Sequence, residues 1–283
     1  MILGFLGKGG SGKSSVSTQM TFFLHGIGRN VLAIDADHNM DLSFNLSAGK
    51  IPEEIPYLGS SLEKIRDFVG LEKEHKYNEV FSVDKADLTF SFGIYQDDFT
   101  KNHCLKIKER MYLISSGPQT KEVLYGKTCS HILTTPLKIY LPLLKLEKED
   151  SVVIDEKAGA DGVTTGIVTG LDVGVIVCEP AVHSLKTAKQ IAELLDFYQT
   201  PYLFAGNKVK SDGDKKLIAE SLGSEVIAYF SDNDLIKRNP SEFFTDWQKS
   251  LEEIHHKAKS LNKNNRLERT KMKFQRNQEF SLV

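Results

Sequence analysis

A glycine-rich run near the start of the chain has the residue types and the spacing of a phosphate-binding loop. Residues 7–14 read Gly-Lys-Gly-Gly-Ser-Gly-Lys-Ser and match the pattern G-x-x-x-x-G-K-[ST]. Glycines allow the backbone to wrap with its N–H groups facing phosphate oxygens, and the N-terminus of a following helix adds partial positive charge. The residues predicted to bind a nucleotide through this loop are Gly9, Gly10, Ser11, Gly12, Lys13, Ser14 and Ser15.

Two side chains of this loop have separate predicted roles. The ammonium group of Lys13 would bridge the β- and γ-phosphates of ATP, and the hydroxyl group of Ser14 would ligate Mg²⁺. The mechanism needs a strand before the loop, which the apolar run at 2–6 supplies, and a helix after it. One face of that helix carries apolar residues at helical spacing, namely Val16, Met20, Phe23 and Leu24. This context argues against a glycine-rich turn that binds nothing.

Acidic residues follow two other apolar runs. Asp35 and Asp37 come after the run Val31–Ile34, and Asp155 ends the run Val152–Ile154. Carboxylates in such places can hold Mg²⁺ directly or through water. Taken alone, an aspartate at a strand end is a common cap or turn former. In chain order with the glycine-rich loop, the carboxylates are typical of a Mg²⁺–nucleotide site.

These groups need a sheet that brings them together. Short apolar runs recur along the chain and are apolar at successive positions, as in strands that are covered on both faces. The predicted strands are Ile2–Leu6, Val31–Ile34, Met111–Ile114, Val152–Ile154, Val173–Val177, Pro201–Phe204 and Ser224–Tyr229. Helical patterns between them predict right-handed crossovers. The expected fold class is α/β, a P-loop NTPase fold with a mostly parallel twisted sheet flanked by helices on both faces.

Composition narrows the class of protein. The chain has 283 residues, of which 40% are hydrophobic and 26% charged, and its net charge is −2. It therefore has no overall basic field that would hold nucleic acid or an anionic membrane by charge alone. Three cysteines are too few for a disulfide scaffold, and no apolar run approaches the ~20 residues of a membrane-spanning helix. We expect a cytoplasmic protein without a membrane span and without nucleic acid as its partner.

One large domain is predicted over residues 1–260. Within it, residues 51–110 are polar and rich in aromatic side chains, and they are assigned either to helices and loops that cover one side of the site or to an insertion that forms a small lid. Residues 261–283 carry six basic side chains against two acidic ones, and they are predicted to form a basic C-terminal tail.

A second lysine in the loop connects the chain with a known class. With Lys8, the loop reads Lys-Gly-Gly-x-Gly-Lys-Ser and resembles the deviant phosphate loop of the nitrogenase iron protein, MinD and ParA class of ATPases. The resemblance implies a homodimer in the ATP-bound state, in which Lys8 crosses the interface to the partner's ATP. A second cation near the γ-phosphate would stabilise the charge that develops during transfer. The alternative is a surface lysine on a flexible loop.

The same resemblance assigns roles to the three carboxylates. Residues 35–42 look like the switch I segment of the class, which makes Asp37 the residue that orients or activates the attacking water and places Asp35 near the Mg²⁺ waters. Residues 152–159 have the Walker B layout, in which Asp155 holds Mg²⁺ through water.

A later dipeptide is predicted to bind the base. Asn207 and Lys208 follow the predicted strand Pro201–Phe204, where the class places an Asn-Lys pair that holds adenine. An amide can both donate to and accept from a base edge. Residues 230–234 resemble the loop that completes the base pocket in the class, without its usual Ile-Pro. Taken alone, the dipeptide fits an ordinary strand-end turn equally well.

Within the class, the stretch 152–207 most resembles the CooC type, the accessory ATPase for nickel insertion into carbon monoxide dehydrogenase. The matching segments are 154–159, 177–180, 184–188 and 206–209. The resemblance implies a Mg²⁺-dependent ATPase whose homodimer serves metallocentre insertion or maturation in a client metalloenzyme.

A Cys-x-His segment stands where the CooC type is expected to carry a Cys-x-Cys pair, shortly before the Walker B strand. The segment 126–131 contains Cys129 and His131. Two copies at a two-fold axis would supply two thiolates and two imidazoles, enough for a tetrahedral or square-planar Ni²⁺ or Zn²⁺ site. The alternative is a half-buried cysteine and an exposed histidine near a helix start.

A rival function stays open, in which a MinD- or ParA-like ATPase acts in positioning or partition on membrane or DNA. Only the basic tail favours it, and a charge run is usually a solvated terminus. A small-molecule kinase is disfavoured, because no acceptor pocket can be read and Lys8 would have no purpose.

Overall fold

The strand that precedes the glycine-rich loop lies in the middle of the sheet. The computed structural model describes residues 1–49, 56–72, 77–81, 90–91, 97–119, 121, 125, 133–159, 167–223 and 226–280. The strands of the main sheet are β1 (Ile2–Leu6), β2 (Asn30–Asp35), β4 (Leu105–Lys108), β5 (Met111–Ser115), β7 (Asp150–Asp155), β8 (Val173–Cys178), β9 (Tyr202–Val209) and β10 (Val226–Ser231). Their order is β10-β9-β8-β1-β7-β2-β5-β4, and only the β4–β5 pair is antiparallel. The predicted fold class is confirmed.

All seven predicted strands are present, with ends that differ by a few residues. β4 is not among them, because it lies at the sheet edge and alternates half-buried with exposed residues, so it has no continuous apolar run. Two further short strands, β3 (Phe90–Ser91) and β6 (Leu144–Lys145), pair in parallel outside the main sheet and are too short for a sequence pattern.

Helices cover both faces of the sheet. They are α1 (Lys13–Gly26), α2 (Asp41–Leu46), α3 (Leu62–Phe68), α4 (Asp98–His103), α5 (Thr135–Leu143), α6 (Val182–Phe197), α7 (Asp212–Leu222), α8 (Asp234–Arg238), α9 (Gln248–Leu261) and α10 (Arg266–Phe280). Phe5 and Val153 pack in one core cluster with residues of α1 and α9, whereas Leu6 and Ile154 pack in another with residues of α5 and α6. This burial on two faces explains why the central strands are apolar at successive positions.

Strand register brings the predicted site residues to one edge of the sheet. Phe5 of β1 lies opposite Asp155 of β7, and Asp155 in turn lies opposite Asp35 of β2. Because these strands are parallel, their carboxyl ends coincide, and the loop that follows β1 starts beside both aspartates. The fold thus positions the glycine-rich loop and the carboxylates together.

The basic C-terminal segment packs against the domain through α10. The Arg266 guanidinium donates to both carboxylate oxygens of Asp172, at 2.8 and 3.0 Å. Arg269 donates to the carbonyl oxygen of Leu171, and the Lys273 ammonium lies 4.9 Å from the ring centre of Tyr198. These three basic side chains therefore face the protein. The domain boundary at residue 260 and the role of residues 51–110 stay predictions.

Among the described residues, none of the helices combines the length and the hydrophobicity that a membrane-spanning segment needs.

Candidate nucleotide-binding site

The loop between β1 and α1 needs glycine at two positions. Gly7 has φ 151°, and a Cβ atom there would lie 2.3 Å from the carbonyl oxygen of Val177. Gly12 has φ 90°, and a Cβ atom there would lie 2.1 Å from Nδ2 of Asn207. Both φ values are strained for residues that have a side chain. The loop therefore follows a tight path that other residue types would not allow.

The N-terminus of α1 can receive an anion. Gly12 caps the helix in the left-handed conformation and contributes no side-chain hydrogen bond, and the first turn has no acidic residue. The first N–H groups of a helix have no partner within the helix, and its dipole favours negative charge there. Lys13 and Ser14 stand in this turn, and their predicted contacts with phosphates and Mg²⁺ stay predictions.

Two side chains support the loop from outside. Asn207 Nδ2 donates to the Ser11 carbonyl oxygen at 2.8 Å. The Lys208 ammonium donates to the Gly10 carbonyl oxygen and, at 2.8 Å, to the Glu179 carboxylate. These contacts hold two loop carbonyl groups turned toward β9, so that N–H groups can face the opposite side. The structure therefore gives Asn207 and Lys208 a contact with the loop backbone, and their predicted contact with adenine stays a prediction.

Glu179 contributes to the site although no sequence pattern predicts a role for it. It follows β8 directly and holds the Lys208 ammonium against the loop. Its signal in the sequence was its position at the end of a buried strand, next to a proline. Recognising its role required knowledge that β8 and β9 are neighbours.

Asp35 and Asp155 form the carboxylate pair of the site. Asp35 accepts hydrogen bonds from the N–H groups of Ser43, at 2.7 Å, and Asp37, at 3.2 Å. Neither oxygen of Asp155 accepts a hydrogen bond from a residue that the structure describes. Burial raises the pKa of both groups. The negative charge of Asp155 raises the pKa of Asp35 further, and acidic neighbours also raise the pKa of Asp155, whereas the positive charge of Lys13 lowers it.

The donor set fits a Mg²⁺ ion with a nucleotide. Asp155 is a buried carboxylate, and the hydroxyl group of Ser14, among the described residues, lies close enough to lower its pKa. Mg²⁺ commonly takes one hydroxyl or carboxylate ligand, several waters and phosphate oxygens. Asp35 instead has each oxygen engaged by a backbone N–H group, so it fixes the segment from Asp37 to Ser43. Its predicted place near the Mg²⁺ waters stays a prediction.

Asp37 occupies the turn that leads into α2. Its Oδ1 accepts from the N–H group of Asn39 at 3.1 Å, and His38 Nδ1 lies 3.6 Å from the same oxygen. The Asp37 carbonyl group accepts from the N–H group of Met40, which has φ 59°. Asp37 therefore has a fixed backbone position next to Asp35, and its predicted role with the attacking water stays a prediction.

Lys8 lies at the outer end of the loop. Its carbonyl oxygen accepts from the N–H group of Ser11 at 3.1 Å, which closes a turn, and the intervening Gly9 and Gly10 are exposed. A second molecule could therefore approach the loop at this tip. The predicted reach of Lys8 across a dimer interface stays a prediction.

Glu156 is a second residue to which the sequence analysis gave no role. It directly follows Asp155, its side chain is 1% exposed, and its Oε1 accepts no hydrogen bond from a described residue. Burial and the neighbouring Asp155 raise its pKa to about 8. Its signal in the sequence was a carboxylate directly after the strand-end aspartate.

The predicted transition-metal ligands Cys129 and His131 lie outside the residues that the structure describes. Among the described residues, no group of three or more His, Cys, Asp or Glu side chains is arranged to hold a metal ion. Cys178, which is one of the three cysteines, lies buried in β8.

A cavity of about 420 Å³ lies at the ends of β9 and β10. The residues that line it include Tyr229 and Trp247 together with Lys210 and Ser231. Ser231 belongs to the segment 230–234 that is predicted to complete a base pocket. Aromatic residues with polar residues beside them are common in sites for a purine base, and this use of the cavity stays a prediction.

Replacing Asp155 with asparagine is expected to stabilise the nucleotide-free protein, and more so as the pH rises from 5 to about 7, where the pKa of the folded protein is reached. A carboxyl group whose pKa is raised by folding destabilises the folded state once the pH exceeds its unfolded pKa near 4, and the penalty grows until the folded pKa is passed. Asparagine does not ionise and avoids this penalty. The measurement is urea unfolding of both proteins without Mg²⁺ at several pH values. Groups such as the Met1 amine titrate in both proteins and cancel in the difference. A difference that stays constant with pH would contradict the expectation.

Comparison with protein families gives one match that spans most of the chain. The model of the CobQ/CobB/MinD/ParA nucleotide binding domain matches residues 3–273. An uncharacterised ATP-binding protein of Methanocaldococcus jannaschii is 29% identical over 235 residues, which cover 82% of this chain and 88% of that protein. The carbon monoxide dehydrogenase accessory protein CooC of Rhodospirillum rubrum is 30% identical over 195 residues, which cover 69% of this chain and 68% of CooC.

Solved structures share the fold at low sequence identity. MinD of Pyrococcus horikoshii in complex with Mg-ADP is 16% identical, with a TM-score of 0.61 and coverage of 93% of this chain and 96% of that chain. A plasmid partition protein of Borrelia burgdorferi bound to AMPPNP is 16% identical, with a TM-score of 0.57 and coverage of 90% and 96%. At this level of identity the likeness supports the fold.

Proposed function

Because the chain belongs to the CobQ/CobB/MinD/ParA family of nucleotide-binding proteins and is a P-loop ATPase, we propose that it is a homodimeric, ATP-driven switch for metal insertion into a client enzyme, with nickel as the first candidate metal. The observation that carries the proposal is the similarity to the Rhodospirillum rubrum CooC protein. Lys8 in the loop supports the dimer, and the Cys-x-His segment supports the metal.

Different residues of the loop and of β9 would bind the phosphates of ATP and hold the loop backbone in place. Backbone N–H groups and Lys13 bind the phosphates, while Asn207 and Lys208 keep the carbonyl groups of Ser11 and Gly10 turned away. When bound, Mg²⁺ offsets charge on the β- and γ-phosphates. Ser14 would ligate this ion, and Asp155 would hold one of its waters. Catalysis of this kind rests on positioning and on electrostatic stabilisation.

Asp37 is the proposed orienting group for the attacking water. Its backbone is fixed by the turn before α2, and Asp35 holds that turn through the N–H groups of Asp37 and Ser43. A change at the γ-phosphate would reach α2 through this short connection. Hydrolysis and a rearrangement of the dimer face would then be coupled.

The dimer must be favoured by ATP for a switch to work. A ligand shifts an equilibrium only by its difference in affinity for the two states. In the proposal, Lys8 of each copy contacts the nucleotide of the other, so that the closed dimer binds ATP more tightly than the monomer does. The exposed tip formed by Gly9 and Gly10 leaves room for that approach.

Closing the dimer would assemble the metal site. Each copy contributes Cys129 and His131, and four ligands from two copies suit Ni²⁺ or Zn²⁺. Hydrolysis would separate the copies and release the metal to the client enzyme. Metal binding would thus require the ATP-bound dimer.

An Asp37→Ala variant tests dimer and metal together. With ATP, it is expected to elute at twice the monomer mass and to hold about one Ni²⁺ or Zn²⁺ per dimer, because binding is retained while hydrolysis is blocked. The measurement combines size exclusion with light scattering and metal analysis of each peak. Adding Cys129→Ser should remove the metal and keep the dimer, and adding Lys8→Ala should remove the dimer. Lys216→Ala, on exposed α7, is the matched control. A monomer in ATP, or a metal-free dimer, would overturn the proposal.

The rival function on membrane or DNA has weaker support. The basic side chains of Arg266, Arg269 and Lys273 face the protein, so they are not available to an anionic surface. Sedimentation with anionic vesicles and salt-dependent retention of DNA, each with and without ATP, separate the two functions. ATP-dependent binding to either would favour the rival.

A further inference from the structure

A buried amide on α1 holds a segment that is distant in the chain. Gln19 lies in the second turn of α1, and its side chain is fully buried. Its Nε2 donates to the Glu242 carbonyl oxygen at 2.7 Å, and its Oε1 accepts from the Phe244 N–H group at 2.7 Å. Both bonds join the helix that follows the glycine-rich loop to the segment 239–247, which lies between α8 and α9.

This pairing needs a side chain that can both donate and accept. An amide can bind a backbone carbonyl oxygen and a backbone N–H group at the same time. Because Gln19 is buried, removing either bond would leave a polar group without a partner, which costs more than the loss of a bond at the surface. Apart from one turn of 3₁₀-helix at Thr245–Trp247, the segment 239–247 has no helix or strand of its own. The two bonds therefore fix its position against α1.

The same segment ends at a residue that lines the cavity at the ends of β9 and β10. Trp247 is 3% exposed, its ring centre lies 4.7 Å from that of Phe230 in β10, and its N–H group donates to the Phe244 carbonyl oxygen at 3.2 Å. The rings of Phe244 and Trp247 meet edge to face, with centres 6.2 Å apart. Phe244 thus contacts Gln19 through its N–H group and Trp247 through its carbonyl oxygen and its ring.

The cavity also borders the strand end that supports the glycine-rich loop. Lys210 and Ser211 line it, and they follow Lys208, whose ammonium group donates to the Gly10 carbonyl oxygen. Its volume of about 420 Å³ falls in the range of about 300–1,000 Å³ that is usual for small-molecule sites. The loop and the cavity are thus attached to the same end of β9, as a site for the two ends of one nucleotide requires.

We propose that Gln19 is a positioning residue for recognition of the nucleotide base. It contacts neither the base nor the phosphates, and it holds Glu242 and Phe244 so that Trp247 keeps its place beside the cavity. The helix that follows the phosphate loop would thereby also set the position of the base site. The inference rests on ATP binding with the base in this cavity, and it is independent of the dimer, the client enzyme and the metal.

The fluorescence of Trp247 gives a readout in the unaltered protein. The chain has one tryptophan, so its emission reports on the surroundings of this cavity-lining residue. Mg-ATP is expected to change the emission, whereas Mg²⁺ with inorganic triphosphate, which has no base, should leave it nearly unchanged. Equal changes with the two ligands, or no change at saturating ATP, would overturn the proposal.

Gln19→Glu is expected to raise the Kd for Mg-ATP about tenfold and to leave the Kd for inorganic triphosphate within about twofold. The substitution keeps the shape of the side chain, but a carboxylate cannot donate to the Glu242 carbonyl oxygen, and the two acceptors repel each other. The segment 239–247 would then move away from α1, so that the base loses contacts while the phosphates keep theirs. Calorimetric titration of the folded protein with each ligand measures both constants.

Gln190→Glu is the matched control, because it makes the same chemical change at an exposed position of α6. If Gln19 had only a structural role, its substitution would lower the melting temperature and leave the ratio of the two Kd values unchanged, and that result would overturn the proposal. Gln19→Met removes both hydrogen bonds without adding a charge, and it is titrated in the same way should the glutamate variant not fold.

The metal switch and the role of Gln19 fail in different ways. If the protein does not dimerise with ATP or holds no metal, the switch is wrong, and the two Kd values of Gln19→Glu still decide the role of Gln19. If the dimer and its metal appear as expected while the ratio of Kd values is unchanged in Gln19→Glu, only the assignment of Gln19 is wrong.

Discussion

Replacing Lys13 with methionine is expected to lower the rate of ATP hydrolysis about 10³-fold and to weaken ATP binding severely. Lys13 is 5% exposed and stands in the first turn of α1, where its ammonium group would lie between the phosphates and the buried acids. Methionine keeps the length of the side chain and removes the charge that stabilises the transferring phosphoryl group. Initial rates and titration with a non-hydrolysable ATP analogue measure the two effects.

The same substitution should also destabilise the nucleotide-free protein. Lys13 lowers the pKa of both Asp155 and Glu156, so its loss leaves two buried acids without that compensation. Lys216→Met on α7 is the control, since that side chain is 75% exposed and far from the loop in sequence. ATP hydrolysis that persists within tenfold in Lys13→Met would refute the assignment of the loop as the catalytic site.

Replacing Gly12 with alanine is expected to raise the Kd for ATP about 100-fold and to lower the free energy of unfolding by about 2–4 kcal/mol. The new Cβ atom would lie 2.1 Å from Asn207 Nδ2 at a φ of 90°. Asn207 would have to move, and its hydrogen bond to the Ser11 carbonyl oxygen would be lost. Titration with an ATP analogue and urea unfolding check the two numbers.

Two other glycines separate the causes of this effect. Gly10 has φ 82° with open space around its Cβ position, so alanine there tests backbone strain alone and should have a smaller effect. Gly26 has open space and no positive φ, so alanine there should be nearly neutral. Equal effects at the three positions would show that the contact with Asn207 does not matter.

The central part of the fold was readable from sequence because its physical causes are local. Strands such as β1 and β7 are buried on both faces and therefore appear as continuous apolar runs. The glycine-rich loop is defined by spacing along the chain, and the positive φ angles at positions 7 and 12 are local backbone requirements that glycine meets. The apolar runs and the glycine spacing can both be recognised without knowing which distant residues lie nearby in the fold.

The features that the sequence did not predict depend on distant contacts. Lys208 holds the loop only because Glu179, at the end of the neighbouring strand, fixes its ammonium group. Oε1 of Glu156 accepts no hydrogen bond from a described residue, and this depends on residues that are distant in the chain and absent from any local sequence pattern. The basic segment after residue 260 reads as solvated, yet Arg266 faces inward because Asp172 stands at a distant position in the chain.

The position of Asp172 has a consequence for how the chain matures during synthesis. This one carboxylate binds the N–H group of Ile2 in the first strand and the guanidinium group of Arg266 in the last helix. A nascent chain that still has α10 inside the ribosome tunnel would hold Asp172 without its cation, directly beside the strand that carries the phosphate loop. We therefore expect a stable nucleotide site only after Arg266 has emerged from the tunnel and reached Asp172, so that a product truncated before Arg266 would not sequester ATP.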